Sequence, residues 1–178
     1  AQACELLVAG AGMEGLCAAL AGARLGLRTV LVEKEMFLGG NAGPNLGVGS
    51  LGVQHGNPFW NETGIVEELE ASAAWFHCRT APGSIHYNGN PLWDTLIADL
   101  LRDAGATVLR RHLVLDAQVQ DGAIRRVTLL NIETLERQEL CIDGFVVDAT
   151  GDAHVAALAG AECRMGREGR NETGERSA

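Results

Sequence analysis

Six residues near the N-terminus restrict what this chain can fold into more than any others: Gly10-Ala11-Gly12-Met13-Glu14-Gly15, a GxGxxG pattern. In a chain with 23 glycines the pattern alone carries little weight, and its surroundings give it meaning. Residues 5–9 (ELLVA) are a short apolar run that ends at the first glycine. Leu16, Ala19, Leu20, Ala23 and Leu27 then recur at helical spacing, with Gly26 placed to end the helix. Residues 29–33 (TVLVE) form a second, β-branched run whose last residue is Glu33. Strand, glycine turn, helix, strand and terminal carboxylate make a βαβ unit of the dinucleotide-binding type.

Each residue of that unit has a physical task. Gly10 permits the tight turn, Gly12 lets backbone approach a diphosphate with no Cβ in the way, and Gly15 lets helix and strand pack closely. Met13 and Glu14 belong to the first helical turn, whose free N–H groups face the phosphates. Glu33 is suited to accept from ribose hydroxyls and would repel a 2′-phosphate, which favours FAD or NAD over NADP. The Glu14 carboxylate would also repel a diphosphate unless it points to water. A second GxGxxG match, at Gly47, Gly49 and Gly52, is discarded: Gly56 and Pro58 interrupt any following helix, and Glu70, at the matching distance, falls mid-helix.

Beyond Glu33 the pattern departs from a plain run of alternating strands and helices. Residues 38–58 are too rich in glycine for helix or flat strand and read as a close-fitting loop. A helical insertion spans 57–105: Ile65, Val66, Leu69, Ala73 and Phe76 mark one amphipathic helix. A second helix starts at Asn90-Pro91, buries Leu92, Trp93, Leu96, Ile97, Leu100 and Leu101, and stops at Gly105. A β-meander is expected over 107–142, with strands at 107–119 and 123–130 joined across Asp121-Gly122, and a third at 137–142. Residues 144–149 read as a separate buried strand, and Val155–Ala159 as the next helix. The expected fold is therefore α/β: a parallel sheet with a helical insertion and a meander, one domain over 1–178.

A net charge of −9 without any Lys/Arg cluster argues against nucleic acid or an anionic membrane as partner and favours a small molecule. No apolar run approaches the roughly 18 residues that span a bilayer. The five cysteines lie far apart with no CxxC pair, so no zinc site, disulfide framework or other metal centre is expected, and a reducing cytoplasm fits best. Asn61-Glu62-Thr63 and Asn171-Glu172-Thr173 match glycosylation triplets and are read as chance.

The stretch GAGMEGLCAALAGARLGLRTVLVEK resembles the N-terminal signature of the glutathione-reductase class of FAD domains, and FVVDATGD resembles its later strand ending in ATG. EKEMFLGGNAG, DATGDAHVAALAG and GREGRNETGERSA are similar to a group of FAD-dependent oxidoreductases of mostly unassigned substrate, a likeness that covers nearly the whole chain. The resemblance implies FAD as cofactor and a Rossmann-like FAD/NAD(P)-binding domain. It implies that Gly10, Gly12, Gly15, Glu33 and Lys34 hold the ADP moiety, and that Gly39, Gly40 and Asn41 approach the pyrophosphate and flavin. Ala149, Thr150 and Gly151 would pass near the cofactor, and the backbone at Val114 would touch adenine. It also implies later segments closing over the flavin, to which nothing in this chain corresponds, so the chain is expected to be an incomplete domain and inactive alone.

Flavin performs the electron transfer itself, so the expected activity is hydride transfer between an unidentified small organic substrate and flavin. The alternative is a truncated, non-catalytic dinucleotide-binding module. No cysteine lies between Gly39 and Gly52, which excludes the disulfide-reductase branch. His55 could neighbour the flavin or act as a base, and His77, Cys78 and His86 lie in the insertion; no catalytic residue is assigned, and His112 and His154 are weaker candidates still. Trp60, Trp75 and Trp93 read as packing residues.

Overall fold

A computed structural model describes residues 2–48, 64–74, 92–164 and 166–174. The six strands β1 (Gln2–Ala9), β2 (Thr29–Glu33), β3 (Thr107–Arg110), β4 (His112–Gln120), β5 (Ala123–Asn131) and β6 (Arg137–Asp148) form one sheet in the order β3-β2-β1-β6-β5-β4. β1 runs parallel to β2 and to β6, and β2 parallel to β3; β4, β5 and β6 are antiparallel. The α/β class with a mostly parallel sheet is as expected.

Two apolar clusters cover the two faces. Helices α1 (Met13–Arg24), α2 (Ile65–Ala74) and α3 (Trp93–Asp103) lie on one face, where Leu16, Ala19 and Leu20 meet Leu6, Val8 and Leu31. The opposite face buries Leu7, Ala9, Val30 and Val32 beneath Val114, Val127, Leu129 and Leu140 of the meander and Val155 of α4 (His154–Leu158). β2 is buried at every position, because it lies inside the sheet with both faces covered. α1 ends as expected at Gly26 (φ +84), whose neighbour Leu27 donates its N–H to Gly22 O.

The sequence-based strand plan is corrected in two places. The run expected as one strand over 107–119 is two: β3 joins the parallel sheet beside β2, and only from His112 does the chain enter the meander. The break is Arg111, held at φ +58 by Glu35 O, which accepts its N–H, and by Ile132 N–H, which donates to its carbonyl. Conversely, the third meander strand and the strand expected at 144–149 are one element. β6 pairs with β5 over 137–141 and with β1 over 140–148. Asp143-Gly144 looks like a turn in sequence, yet Asp143 accepts from Arg28, and a Cβ on Gly144 would lie 2.2 Å from Glu5 O. That close approach of backbone, at a shift in the β1–β6 register, keeps the strand continuous.

The Asp121-Gly122 hairpin forms as expected, both residues at positive φ, as a primed turn requires. α3 buries Trp93, Ile97 and Leu101 as expected, but Leu92 precedes the helix and is exposed. Phe76, Trp60, Trp75, His55, His77, Cys78 and His86 lie outside the described residues.

Candidate functional site

The C-terminal ends of β1, β2 and β6 open into one cleft of about 690 Å³, where β1 is followed by α1 on one face of the sheet and β6 by α4 on the other. Gly10, at φ +96, turns the chain out of β1 and donates its N–H to Val32 O. A Cβ here would sit 2.3 Å from Ala149 O, and one on Gly15 would sit 1.9 Å from Gly10 O. These two glycines serve the close packing of β1, α1 and the turn after β6. Gly12 is different. At φ −66 and ψ 179 its backbone suits any residue, and a Cβ would meet only Glu14 Oε2, at 3.8 Å. Gly12 is the N-cap of α1 and brings no side chain to cap it, so the first-turn N–H groups present themselves to the cleft.

Glu33 ends β2 at this mouth and is buried. Its Oε2 accepts from Ala11 N–H at 2.6 Å and its Oε1 from Glu35 N–H at 2.8 Å. The carboxylate is thus tied to the glycine turn itself. Two amides use about half of the acceptor sites of a carboxylate, leaving capacity for two hydroxyls.

The loop after β2 folds back over the turn. Gly39 donates its N–H to Ala11 O at 2.7 Å, and a Cβ on Gly40 would sit 3.1 Å from Gly12 Cα. Gly39 (φ +105) and Gly40 (φ +54) lead into a 3₁₀ turn, Gly40–Ala42, so Gly40 and Asn41 lie beside the helix mouth. Leu46 and Val48 continue this wall as an apolar, exposed surface.

The third wall is the turn after β6. Asp148 Oδ1 accepts from the Thr150 hydroxyl at 2.7 Å and from Thr150 N–H at 3.1 Å, and Oδ2 accepts from Ala156 N–H at 2.8 Å. Burial pushes this carboxyl up, but hydrogen bonds from the Thr150 hydroxyl and from the N–H groups of Ala156, Thr150 and Val155 outweigh it and hold it below its ordinary value. The Thr150 hydroxyl also accepts from His154 N–H at 3.0 Å, so what Ala149-Thr150-Gly151 turns to the cleft is chiefly backbone. His154 Nε2–H donates to Val114 O at 2.8 Å, joining this wall to β4. His112 lines the same end and donates from Nδ1 to Arg110 O.

Of the residues singled out in the sequence, Gly10, Gly12, Met13, Glu14, Glu33, Lys34, Gly39, Gly40, Asn41, Val114, Ala149, Thr150 and Gly151 line this one cleft, and Gly15 packs directly behind it. Glu14 and Lys34 are exposed, which lets the Glu14 carboxylate keep its hydration. The sequence reading missed the network of Asp148, Thr150 and His154. Its only signal was an acid two residues before Thr150, a common turn pattern. Among the described residues no three His, Cys, Asp or Glu side chains converge as a metal site.

These features fit a dinucleotide. A bare helix N-terminus offers amides to a diphosphate, a tethered carboxylate stands one turn away for a ribose, and a strand edge and backbone wall close the far end. The FAD dependent oxidoreductase family matches residues 5–178. The chain belongs to that family. FAD is the family's cofactor, as the resemblance implied, and its members are enzymes.

A thiamine thiazole synthase from the archaeon Aeropyrum pernix is 30% identical over 162 residues, covering 83% of this chain and 54% of the relative. A flavoprotein/dehydrogenase from Cytophaga hutchinsonii superposes with a TM-score of 0.61 at 19% identity, covering 94% of this chain and 44% of that one. The FAD-dependent halogenase CndH, a myxobacterial enzyme of chondrochloren, superposes at 0.60 with 22% identity, over 85% and 38%. The two structures share the fold, and the chain spans about half the length of its archaeal relative. No helix among the described residues is long and apolar enough to cross a membrane.

Proposed function

We propose that this member of the FAD-dependent oxidoreductase family binds FAD in the cleft and exchanges hydride between flavin and a small organic molecule. The observation that carries the reading is the pairing of Gly12, an N-cap without a side chain, with Glu33, whose carboxylate is fixed to the same turn through Ala11 N–H. In this reading the first-turn amides of Met13, Glu14 and Gly15 hold the diphosphate, Glu33 takes the ribose hydroxyls, and β4 near Val114 borders adenine. Gly40 and Asn41 lead toward the flavin, with Leu46 and Val48 as an apolar bed for its ring system. When bound, FAD supplies the hydride-accepting and hydride-donating chemistry that side chains lack. The chain orients it, and the cleft disfavours a ligand with a 2′-phosphate, since it carries Glu14, Glu33, Glu35 and Asp152 against Lys34. That acidic lining and the net charge of −9 support a small-molecule partner over nucleic acid. The described cysteines, Cys4, Cys17, Cys141 and Cys163, are free thiols, which fits a cytoplasmic location.

Titration of the purified chain with FAD, ADP and NAD tests the reading by thermal shift and by the visible flavin spectrum. FAD should stabilise most, and Glu33→Ala should weaken that effect. Equal stabilisation by ADP and FAD would favour a second reading, a non-catalytic dinucleotide-binding module. One observation speaks for it: Leu46 is 60% exposed, so the described residues enclose the adenosine end better than the ring end. The archaeal relative's name suggests thiazole formation as one reaction to try, by growth of a thiazole-requiring host carrying the gene for this chain.

A further inference from the structure

The loop that carries Gly39, Gly40 and Asn41 is held from behind by two charged side chains that do not line the cleft. Arg110 ends β3, in register with Glu33 on β2, and its Nη1 donates to Asp94 Oδ2 at 2.6 Å and Oδ1 at 2.8 Å. The same nitrogen donates to Met36 O at 2.8 Å, and Asp94 Oδ1 accepts from Leu38 N–H at 2.7 Å. The pair therefore fixes a carbonyl at 36 and an amide at 38, while Ala11 O fixes the amide at 39. Exposed Met36 and Phe37 give that part of the loop little packing of its own.

The Asp94 and Arg110 side chains are 17% and 29% exposed, more shielded than any other ion pair among the described residues. Shielding strengthens a charge pair and raises the cost of leaving one partner alone. Trp93, the residue before Asp94, adds a second support from the same helix start. Trp93 is 1% exposed and its indole N–H has no hydrogen-bond partner among the described residues. The indole nitrogen lies 2.5 Å from where a Cβ on Gly39 would stand. A helix start that presses an indole under Gly39 and a carboxylate onto Leu38 N–H is set to determine where Gly40 and Asn41 lie.

We propose that Asp94 and Arg110 are positioning residues for the flavin half of the cleft, acting through the 36–41 loop and leaving the ADP half untouched. This rests on the reading of the cleft as an FAD site. The ADP half has its own anchors, the Gly12 helix mouth and the Glu33 carboxylate, which accepts from Ala11 N–H and Glu35 N–H; Arg110 neighbours Glu33 across the β2–β3 pair, but its guanidinium bonds Asp94 and Met36 O.

The test compares the affinities of the full chain for ADP and for FAD in Asp94→Ala, Asp94→Asn and Arg110→Lys, with Arg24→Ala, which breaks an exposed pair with Glu68, as control. Asp94→Ala should lower FAD affinity about tenfold or more, the scale of a lost charge-assisted hydrogen bond, while ADP affinity changes less than about twofold. The visible spectrum of bound flavin should shift in the same variants, and Asp94→Asn, which keeps an acceptor for Leu38 N–H, should retain part of the affinity. Should Asp94→Ala fail to fold, Asp94→Asn and Arg110→Lys carry the same comparison. Parallel losses of ADP and FAD, or unchanged FAD affinity in folded variants, overturn the proposal. A wild-type chain that binds ADP normally but FAD no better removes the functional reading and this proposal with it.

Discussion

Replacing Gly12 by serine should make the protein slightly more stable and a much poorer cofactor binder. Gly12 is the N-cap of α1 with φ −66 and ψ 179, a conformation serine adopts without strain, and its Cβ would find only Glu14 Oε2 within 4 Å, at 3.8 Å. The new hydroxyl can accept from Glu14 N–H or Gly15 N–H, as N-cap serines do. Serine exceeds glycine at this position by a few tenths of a kcal/mol. For a chain of this length that is roughly 1–2 °C in Tm. The same hydroxyl occupies amides that a diphosphate needs. Losing one charge-assisted hydrogen bond costs about 1.5–3 kcal/mol, or roughly tenfold to a hundredfold in affinity. Differential scanning fluorimetry of the ligand-free variant, with FAD titration followed by flavin absorbance, reads both effects. Gly12→Val, which cannot cap, should lose affinity at least as far without the gain in Tm. Unchanged FAD affinity in both variants would refute the placement of the diphosphate at this helix mouth, and a large drop in Tm would refute the openness of the position.

Gly15→Ala should behave oppositely, because its Cβ would lie 1.9 Å from Gly10 O; a loss of at least about 2 kcal/mol is expected, and a wild-type denaturation curve would contradict it. Asp148 has a folded pKa below its unfolded one, so its charge stabilises the fold above about pH 4 and that contribution fades as pH falls through the lower, folded value. Asp148→Asn should therefore lower Tm at pH 7, with the gap to wild type closing between pH 4 and 2; a gap independent of pH would refute the assignment. Burial pushes the Cys4 thiol up to about 11, ahead of a smaller opposing effect of Arg28. At pH 8 iodoacetamide should modify exposed Cys163 in the native protein and reach Cys4 only after unfolding, as peptide mass mapping would show.

The first 33 residues were legible because their constraints are local. Gly10 and Gly26 announce backbone conformations that few other residues tolerate, as the Asp121-Gly122 turn does further on; α1 repeats apolar residues at helical spacing, and β2 is a short β-branched run buried at every position. The break at Arg111 was not legible, since the residue at positive φ is an arginine, with no glycine, proline or asparagine beside it to signal a turn, and is held there by Glu35 and Ile132, distant in sequence. Nor was the continuity of β6 through Asp143-Gly144, which depends on Arg28 and on the carbonyl of Glu5 in a neighbouring strand.

The same division runs through the cleft. Sequence alone determined the glycine turn, the helix mouth and the carboxylate at the next strand end, since these lie within one βαβ unit whose geometry follows from chain connectivity. Only the tertiary structure decided that Glu33 is tethered to Ala11, that Asp148 and His154 tie the β6 turn to β4, and that Asp94 and Arg110 brace the loop after β2. Such contacts join residues as many as 74 positions apart, and a hydrogen bond between distant groups leaves no periodic trace along the chain: it exists because the sheet, once folded, brings their elements to one edge.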